Sequence, residues 1–245
     1  MPFFVPGVEP AVTNPGPAGV EAASPAASRQ SAVTTPATVL LVAAGLVAVA
    51  DWVAVGRGLE RLEYVCKPGA LVLLIGVALT LDPAQGDVRA WFVAALVLSL
   101  AGDVFLMLPA DRFVPGLSSF LLAHVAYVVG LNLHGGSVGA LALAAIPVAA
   151  VAGVLAIRIL SAMTTGGNRD LIGPVVAYMV VIAAMVTSAL ASVNVWAVAG
   201  ATLFFASDTL IAETRFVRPV TPNLRVAIMV TYHLGQAGLV ASLLV

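Results

Sequence analysis

The sequence is poor in charge and almost free of cysteine. Only 9% of its 245 residues are Asp, Glu, Lys or Arg, whereas a soluble domain carries about 25%, so the chain cannot cover itself with a water-facing surface. The single cysteine, Cys66, excludes an internal disulfide and any metal site built from several cysteines. A formal net charge of −1 gives no electrostatic reason to expect a nucleic-acid partner.

Motifs of several common enzyme classes are missing as well. The chain contains no glycine-rich phosphate loop, no G-x-S-x-G elbow and no H-E-x-x-H pair. Its three histidines, His124, His134 and His233, are not spaced as a zinc set. We therefore expect neither a bound metal nor a cofactor.

Long apolar runs are what the sequence has in abundance. It is 61% hydrophobic, with a mean hydropathy of +1.07, and its runs have about the 20 residues that a helix needs to cross a bilayer. Short links between them make sequential helices antiparallel neighbours. The pattern predicts an all-α, polytopic membrane protein with eight transmembrane helices in one bundle within a lipid bilayer. The predicted spans are 36–55, 66–81, 89–108, 116–133, 138–157, 171–190, 192–212 and 224–244.

The N-terminal segment has a different composition. Residues 1–35 are rich in Pro, Ala, Gly and Ser, which is typical of chains that cannot bury enough apolar surface to fold. We expect residues 1–35 to be a disordered tail and residues 36–245 to form the transmembrane domain.

Basic residues are distributed unevenly between the two sides of the predicted bundle. Nine follow spans one, three, five and seven, and two lie on the opposite side. Because positive residues concentrate on the cytoplasmic side, both termini are predicted outside, with the protein in the cytoplasmic membrane. The nine are Arg57, Arg61, Lys67, Arg112, Arg158, Arg169, Arg215, Arg218 and Arg225, and the two are Arg29 and Arg89.

Two carboxylates lie inside the predicted spans. Asp103 is in the third span and Asp208 in the seventh. An Asp near the centre of a membrane helix costs about 2.5–3.5 kcal/mol, so such a residue is a functional-site hypothesis by default. Both spans run toward the cytoplasm, which predicts that the two acids lie at a similar depth, in the cytoplasmic half of the bundle.

A weak internal repeat accompanies the paired acids. Ala101–Asp103 is similar to Ala206–Asp208, and His124 corresponds to His233 at nearly the same offset. These matches favour a four-plus-four parallel repeat, as some transporters have.

Other polar side chains lie within the spans and find no partner in lipid, so we expect them to face inward and converge. They are Lys67, His124, Tyr127, Tyr178, Tyr232, His233 and Gln236. Each also has a structural alternative. Tyr and Gln can join helices by hydrogen bonds worth about 0.6 kcal/mol, a lone buried His can be structural, and Lys67 can extend to the lipid headgroups. Asp51, near the end of the first span, is interpreted as structural because water or Arg57 can serve it.

Two acids in a semi-dry pocket suit acid–base chemistry of the kind used in glycoside hydrolysis. There, one carboxyl group is kept protonated by its surroundings and the other stays ionised.

The ordered set of motifs resembles the YhhN-like lysoplasmalogenase family. The resemblance runs from about residue 60 to the C-terminus, and the first span matches only in being apolar. It rests on Lys67-Pro68, Gly102–Pro109, Phe113–Gly116 leading into Phe120, His124 and Tyr127, Pro174 with Tyr178, Phe205–Asp208, and Tyr232 with Gln236.

This resemblance implies a membrane hydrolase that cleaves the vinyl-ether bond of lysoplasmalogens to a fatty aldehyde and glycerophosphoethanolamine or glycerophosphocholine. It also implies that Asp103 and Asp208 are catalytic. A vinyl ether hydrolyses by protonation at carbon followed by capture of water, so the site needs an acid, a negative charge and a base. We expect one Asp to donate the proton and the other to stay ionised, with no assignment between them. Side chains expected to bind the lysophospholipid substrate or relay protons are Lys67, His124, Tyr127, Tyr178, Ser207, Tyr232, His233 and Gln236.

Two other functions fit the same residues. Paired acids, a repeat and intramembrane histidines also suit a proton-coupled membrane transporter, and a purely structural bundle would use them as helix contacts. Headgroup preference, chain-length preference and oligomeric state are left open.

Overall fold

The computed structural model describes residues 32–83, 85–109 and 112–245, and within them it confirms the all-α prediction. Eight helices are long and apolar enough to cross a membrane, and they form one bundle. They are α1 (Thr35–Arg57), α2 (Glu60–Thr80), α3 (Gly86–Met107), α4 (Phe113–Asn132), α5 (Val138–Thr165), α6 (Ile172–Ser192), α7 (Val195–Ala212) and α8 (Pro222–Ala241). A π-helical turn, Glu213–Val217, continues α7, and short 3-10 turns flank α6 and α8. The chain is therefore a multi-pass membrane protein.

Most of the predicted disordered tail, residues 1–31, lies outside the described residues. The four residues that follow are ordered against the bundle. Ala32 exchanges backbone hydrogen bonds of 2.9 and 3.2 Å with Asp82, and the Thr34 side chain caps α1 by accepting from the Ala37 amide. The start of α1 is thus fixed by a capping hydroxyl and by contacts with the link after α2.

The other caps explain where the links fall. Ser137, Asn194 and Thr221 accept hydrogen bonds from the first-turn amides of α5, α7 and α8. Val193 closes α6 in the left-handed region, with φ at 56°, which is costly for a β-branched residue. That conformation makes the link between α6 and α7 short enough to turn the chain directly back.

Two helix boundaries differ from the predicted spans by more than three residues. The second helix begins at Glu60 instead of 66, and the fifth continues to Thr165 instead of 157. The added turns contain charged residues, and their low hydropathy placed these turns outside the predicted spans. Partners in neighbouring elements hold these charges, since Glu63 of α2 accepts from Arg225 at 2.8 Å and Arg158 of α5 donates to Glu213 at 2.5 Å.

Burial is divided unequally among the helices. The most extensive contacts join α1 to α2, α3 to α4 and α7 to α8, as expected for antiparallel neighbours. Helix α8 is the most buried of the eight, whereas α5 buries only Val148, Ile159 and Met163. The bundle is therefore arranged around α8, with α5 at its lipid-facing edge.

A seam of glycines holds α7 against α8. A Cβ atom added at Gly200 would lie 2.5 Å from the Leu239 amide nitrogen, and one added at Gly238 would lie 2.8 Å from the Gly200 Cα. Small residues let membrane helices approach closely enough for backbone contact. This seam fixes the rotation of α8, and with it the direction of the polar side chains of α8. The four-plus-four repeat remains a prediction.

Candidate active site

Asp103 lies one turn before the end of α3 and is almost completely buried, with 1% of its surface exposed. Its Oδ1 lies 3.1 Å from the Lys67 ammonium of α2. Its Oδ2 accepts a 2.6 Å hydrogen bond from the Tyr232 hydroxyl of α8. The Lys67 Nζ also lies 5.9 Å from the centre of the Tyr232 ring, so one cation and one hydroxyl enclose this carboxylate.

Asp208 lies one turn before the end of α7 and has a different environment. The Tyr178 hydroxyl of α6 donates to its Oδ2, and the His124 Nε2 of α4 is 3.7 Å from the same oxygen. Within the described residues, no Lys or Arg forms an ion pair with it. Its side chain is 13% exposed, compared with 1% for Asp103, so Asp208 is the more accessible acid.

The tautomer of His124 follows from its other contact. Its Nδ1 lies 2.6 Å from the Phe120 carbonyl oxygen, and because a carbonyl only accepts, the Nδ1 carries a proton. In the neutral ring the Nε2 is then a lone pair that faces Asp208. This Nε2 is buried and has no hydrogen-bond partner among the described residues. The contact between the His124 Nε2 and the Asp208 Oδ2 is therefore favourable only when Asp208 is protonated or the His124 ring is a cation.

Aromatic rings connect the partners of the two acids. The Phe204 ring lies 4.7 Å from the His124 ring and 5.4 Å from the Tyr232 ring, measured between centroids. Phe120 packs edge-on against both Phe204 and Tyr232. Phe204 thus contacts one partner of each acid, His124 for Asp208 and Tyr232 for Asp103.

The remaining predicted residues lie beside this centre without touching either acid. The Tyr127 hydroxyl donates to the Gln236 Oε1 at 2.6 Å, within the core between α4 and α8. Ser207 donates to the Ile228 carbonyl oxygen at 3.1 Å and links α7 to α8. His233 accepts at its Nδ1 from the Trp52 indole at 3.0 Å. The structure therefore joins Tyr232, and not the adjacent His233, to Asp103.

Sequence reasoning missed the contribution of α1. Trp52 binds His233, and Asp51 is completely buried, with neither oxygen hydrogen-bonded to any described residue. Arg57, suggested as its partner, lies in the last turn of α1 and does not bind either Asp51 oxygen. The sequence did indicate a role for Asp51, because a carboxylate within an apolar span is costly wherever it lies.

Two cavities lie near the acids, one lined by Asp208 and the other by Lys67, the partner of Asp103. The first is narrow, about 70 Å³, and apolar except where Tyr178, Asp208 and Thr209 reach its wall. The second, about 330 Å³, is lined partly by Glu63, Lys67, Arg215 and Arg225. The two cavities share Leu106, Phe113 and Ile211 as lining residues.

The shared residues connect the cavities to the catalytic candidates. Leu106 lies three residues after Asp103 on α3, and Ile211 lies three residues after Asp208 on α7, so each shares a helix face with its acid. An apolar cavity and a charged cavity therefore meet one helical turn from both carboxylates. In the described part of the chain, no group of three or more His, Cys, Asp or Glu side chains is arranged to hold a metal ion.

Ion pairs fix the turn that borders both cavities. Glu213 opens the π-helical segment and accepts from the Arg158 Nε and Nη2 at 2.5 and 3.1 Å. The Arg215 guanidinium lies 4.7 Å from the centre of the Phe113 ring, and Phe216 lines the apolar cavity. The Glu213 pair thus positions the segment that closes the cavity on the side of α5.

Several named proteins are similar in sequence to this chain. Over 159 residues the chain is 35% identical to proteins named lysoplasmalogenase from Mycobacterium bovis and Mycobacterium tuberculosis, covering 60% of this chain and 58% of theirs. It is 31% identical over 173 residues to human lysoplasmalogenase TMEM86B, covering 70% of each protein. The chain thus spans less than two thirds of the length of the mycobacterial relatives.

No solved structure matches the chain significantly. The model of the YhhN family matches residues 62–243. This range contains both acids, Lys67 and the tyrosine and histidine partners described above, and it does not include Asp51 or Trp52. The order of motifs, the eight-helix bundle and this match lead to one conclusion: the chain belongs to the YhhN family.

Proposed function

We propose that this protein is a lysoplasmalogenase, a membrane hydrolase that cleaves the vinyl-ether bond of lysoplasmalogens to a fatty aldehyde and glycerophosphoethanolamine or glycerophosphocholine. The observation that carries the proposal is the meeting of an apolar cavity bordered by Asp208 with a charged cavity bordered by Lys67, the partner of Asp103. The names of the mycobacterial and human relatives support the same reaction.

The two cavities match the two ends of a single-chain lipid. The alkyl chain lies in the narrow apolar cavity between α4, α5, α6 and α7, where burial of each methylene group stabilises binding by about 0.8 kcal/mol. The phosphate lies in the charged cavity, near Arg215 and Arg225. In a lysoplasmalogen the vinyl ether joins the chain to the glycerol, so the bond to be broken lies at the junction, beside Asp103 and Asp208.

Asp208 is the general acid in this proposal. It reaches the wall of the apolar cavity, has neutral hydrogen-bonding partners, and lies beside a His124 lone pair that requires a neighbouring proton. A carboxyl group in an apolar site without a cation favours its protonated form. Asp208 transfers this proton to the vinyl carbon remote from the ether oxygen, which produces the oxocarbenium ion.

Asp103 remains a carboxylate because Lys67 and Tyr232 neutralise and solvate its charge. Its negative charge stabilises the oxocarbenium ion, and it then accepts a proton from the attacking water while the new carbon–oxygen bond forms. The product of this step is a hemiacetal, with Asp208 ionised and Asp103 protonated.

Collapse of the hemiacetal returns both acids to their starting state. Asp208 takes the proton of the hemiacetal hydroxyl, and Asp103 returns its proton to the departing glycerol oxygen. The carbon–oxygen bond breaks, aldehyde and alcohol are released, and no net proton leaves the site. The cycle consumes one water and needs no cofactor.

We place the site in the cytoplasmic half of the cytoplasmic membrane, with both termini outside. The basis is the concentration of basic residues at the end of the bundle that carries both acids. Single cysteines at Val138 and Thr164, introduced in a Cys66→Ala background, test this orientation. An impermeant maleimide should label position 138 on intact cells and position 164 only after lysis, and the opposite pattern would reverse the topology.

The test of function is aldehyde release by purified protein in detergent. A lysoplasmalogen should yield one aldehyde per glycerophospholipid, and the saturated alkyl-ether analogue should yield none because it cannot be protonated at carbon. Catalysis needs no sealed compartment, so an inert protein in this assay would contradict the proposal and favour the transporter. The Asp170→Asn variant, at an exposed position between α5 and α6, is the matched control for all Asp→Asn variants.

A further inference from the structure

The charged cavity contains an acid that binding of a phosphate does not explain. Its charged lining residues are Glu63, Lys67, Arg215 and Arg225, and Glu63 is the only acid among the described residues that line it. Cations attract the phosphate of a lysophospholipid, and an acid beside them weakens that attraction. Ethanolamine and choline headgroups, however, also carry a positive nitrogen two methylene groups beyond the phosphate. Glu63 has the charge that complements this nitrogen.

Arg225 positions Glu63 and can still bind a phosphate. Its Nη2 donates to the Glu63 Oε2 at 2.8 Å. A guanidinium has five N–H groups in a rigid fork, and this pair uses one of them. A carboxylate likewise accepts several hydrogen bonds through its two oxygens. The pair therefore places a donor for phosphate and an acceptor for ammonium side by side, on α8 and α2.

Glu63 lies in the direction that the headgroup must take from the acids. It precedes Lys67 by four residues on α2, so the two share a helix face and lie about 6 Å apart along the axis. Lys67 binds Asp103, beside which the vinyl ether lies in the proposed reaction. Glycerol and phosphate separate that bond from the headgroup nitrogen, which therefore lies farther along this face. The Glu63 side chain is 19% exposed, so a ligand can reach it.

The charged cavity does not offer an equivalent site to a quaternary ammonium. Proteins recognise trimethylammonium groups with cages of several aromatic rings, and Phe113 is the only aromatic residue among the described residues that line this cavity. The Arg215 guanidinium lies 4.7 Å from the centre of the Phe113 ring. Phe216 packs against the same ring in a T-shaped arrangement, with 5.9 Å between centroids. The lining thus suits a cation that donates hydrogen bonds.

We propose that the charged cavity selects a primary-ammonium headgroup, with Glu63 as the specificity-determining residue. This inference rests on the proposed function. The ethanolamine ammonium donates a hydrogen bond to the Glu63 carboxylate while the adjoining phosphate accepts from Arg225. Choline has the same charge and no N–H group, so its nitrogen cannot donate, and its methyl groups keep it farther from the carboxylate. The preferred substrate is therefore the ethanolamine lysoplasmalogen.

Binding of saturated alkyl-ether analogues tests this selection without catalysis. On one alkyl chain the headgroup can be ethanolamine, its N-methyl or N,N-dimethyl derivative, or choline, so the charge stays constant while the N–H groups decrease from three to none. The Kd, measured by calorimetry in detergent, should rise by about 10-fold from ethanolamine to choline, because a charge-assisted hydrogen bond is lost. The largest step should come with the last methyl group. Equal Kd values across the series, or binding of none of the four, would overturn the proposal.

The Glu63→Gln variant assigns the selection to one residue. Its ratio of choline Kd to ethanolamine Kd should fall to about 2, because a neutral amide accepts a weaker hydrogen bond from an ammonium. Glu60→Gln, at an exposed position three residues earlier, is the matched control and should keep the parental ratio. Both ligands are measured on one preparation, so the ratio does not depend on the folded fraction. An unchanged ratio in Glu63→Gln would remove Glu63 from headgroup selection.

Failure of this proposal differs from failure of the proposed function. If the parent releases aldehyde and binds the ethanolamine and choline analogues equally, headgroup selection is wrong and the hydrolase stands. If the parent prefers the ethanolamine analogue and releases no aldehyde, the proposed hydrolase is wrong and the headgroup site stands.

Discussion

The two buried acids occupy equivalent positions on α3 and α7, and their surroundings are opposite. Asp103 is enclosed, with a cation and a hydroxyl as partners. Asp208 is partly open to an apolar cavity, with a hydroxyl and an imidazole as partners. In the proposed mechanism this difference keeps Asp103 a carboxylate and Asp208 a carboxylic acid, because only Asp103 has a cation as its partner.

The strongest test of this comparison removes each acid in turn. Asp208→Asn and Asp103→Asn should each lower aldehyde release by about 1,000-fold, within the 10²–10⁴-fold range of general acid–base catalysis. Both variants should remain inserted, as shown by an unchanged helical circular dichroism spectrum. Asp170→Asn should keep the parental rate, and full activity in either buried variant would remove that Asp from the mechanism.

The next test removes the cation from one acid only. Lys67→Met should lower the free energy of unfolding by about 3–5 kcal/mol, because it leaves an uncompensated carboxylate at Asp103. His124→Gln, beside Asp208, should cost only about 1 kcal/mol. Denaturation in detergent measures both, and equal losses would show that the two acids do not differ in charge. Lys67→Met/Asp103→Asn should recover most of the stability.

Smaller effects are expected from the two tyrosines. A hydrogen bond to a charged group contributes about 1.5–3 kcal/mol and one between neutral groups about 0.5–1.5 kcal/mol. Tyr232→Phe, beside the ionised Asp103, should therefore lower kcat by about 10–100-fold, and Tyr178→Phe, beside the protonated Asp208, by about 2–10-fold. The reverse order would exchange the roles of the two acids.

The smallest effect concerns the cavity that only Asp208 borders. Met179 lines this cavity. Met179→Trp should raise KM by about 3–10-fold for long-chain substrates, because loss of a few buried methylene contacts costs roughly 1 kcal/mol, and by less for short-chain ones. Ile157→Trp, on the lipid-facing side of α5, is the control and should match the parent for both. Equal effects on both chain lengths would place the alkyl chain elsewhere.

Hydropathy alone predicted the eight helices, because a bilayer-spanning helix needs a long apolar run wherever it lies. The predicted helix boundaries were wrong where a helix continued through charged residues. Glu63 and Arg158 look like loop residues in the sequence, and both lie within helices because Arg225 and Glu213 pair with them. Such pairing depends on which helix ends are neighbours, and that is a property of the folded bundle.

The sequence singled out polar side chains for the candidate site, and it did not show which of them pair. Intramembrane acids, Lys67 and the hydroxyl and imidazole side chains stand out against an apolar background. The sequence could not decide between Tyr232 and His233 as the partner of Asp103, since adjacent residues on a helix point about 100° apart. The glycine seam between α7 and α8 makes that choice by fixing the rotation of α8.

The Lys67–Asp103 ion pair has a consequence for self-protection. A long-chain aldehyde condenses with a neutral primary amine to an imine, and an enzyme that makes aldehydes exposes its own lysines to this reaction. The chain contains ten arginines and a single lysine, so Lys67 is its one amine side chain. In the ion pair with Asp103 the Lys67 nitrogen is an ammonium, which has no lone pair to attack with. In the proposed reaction, the contact that neutralises Asp103 thus also protects Lys67 from the aldehyde product.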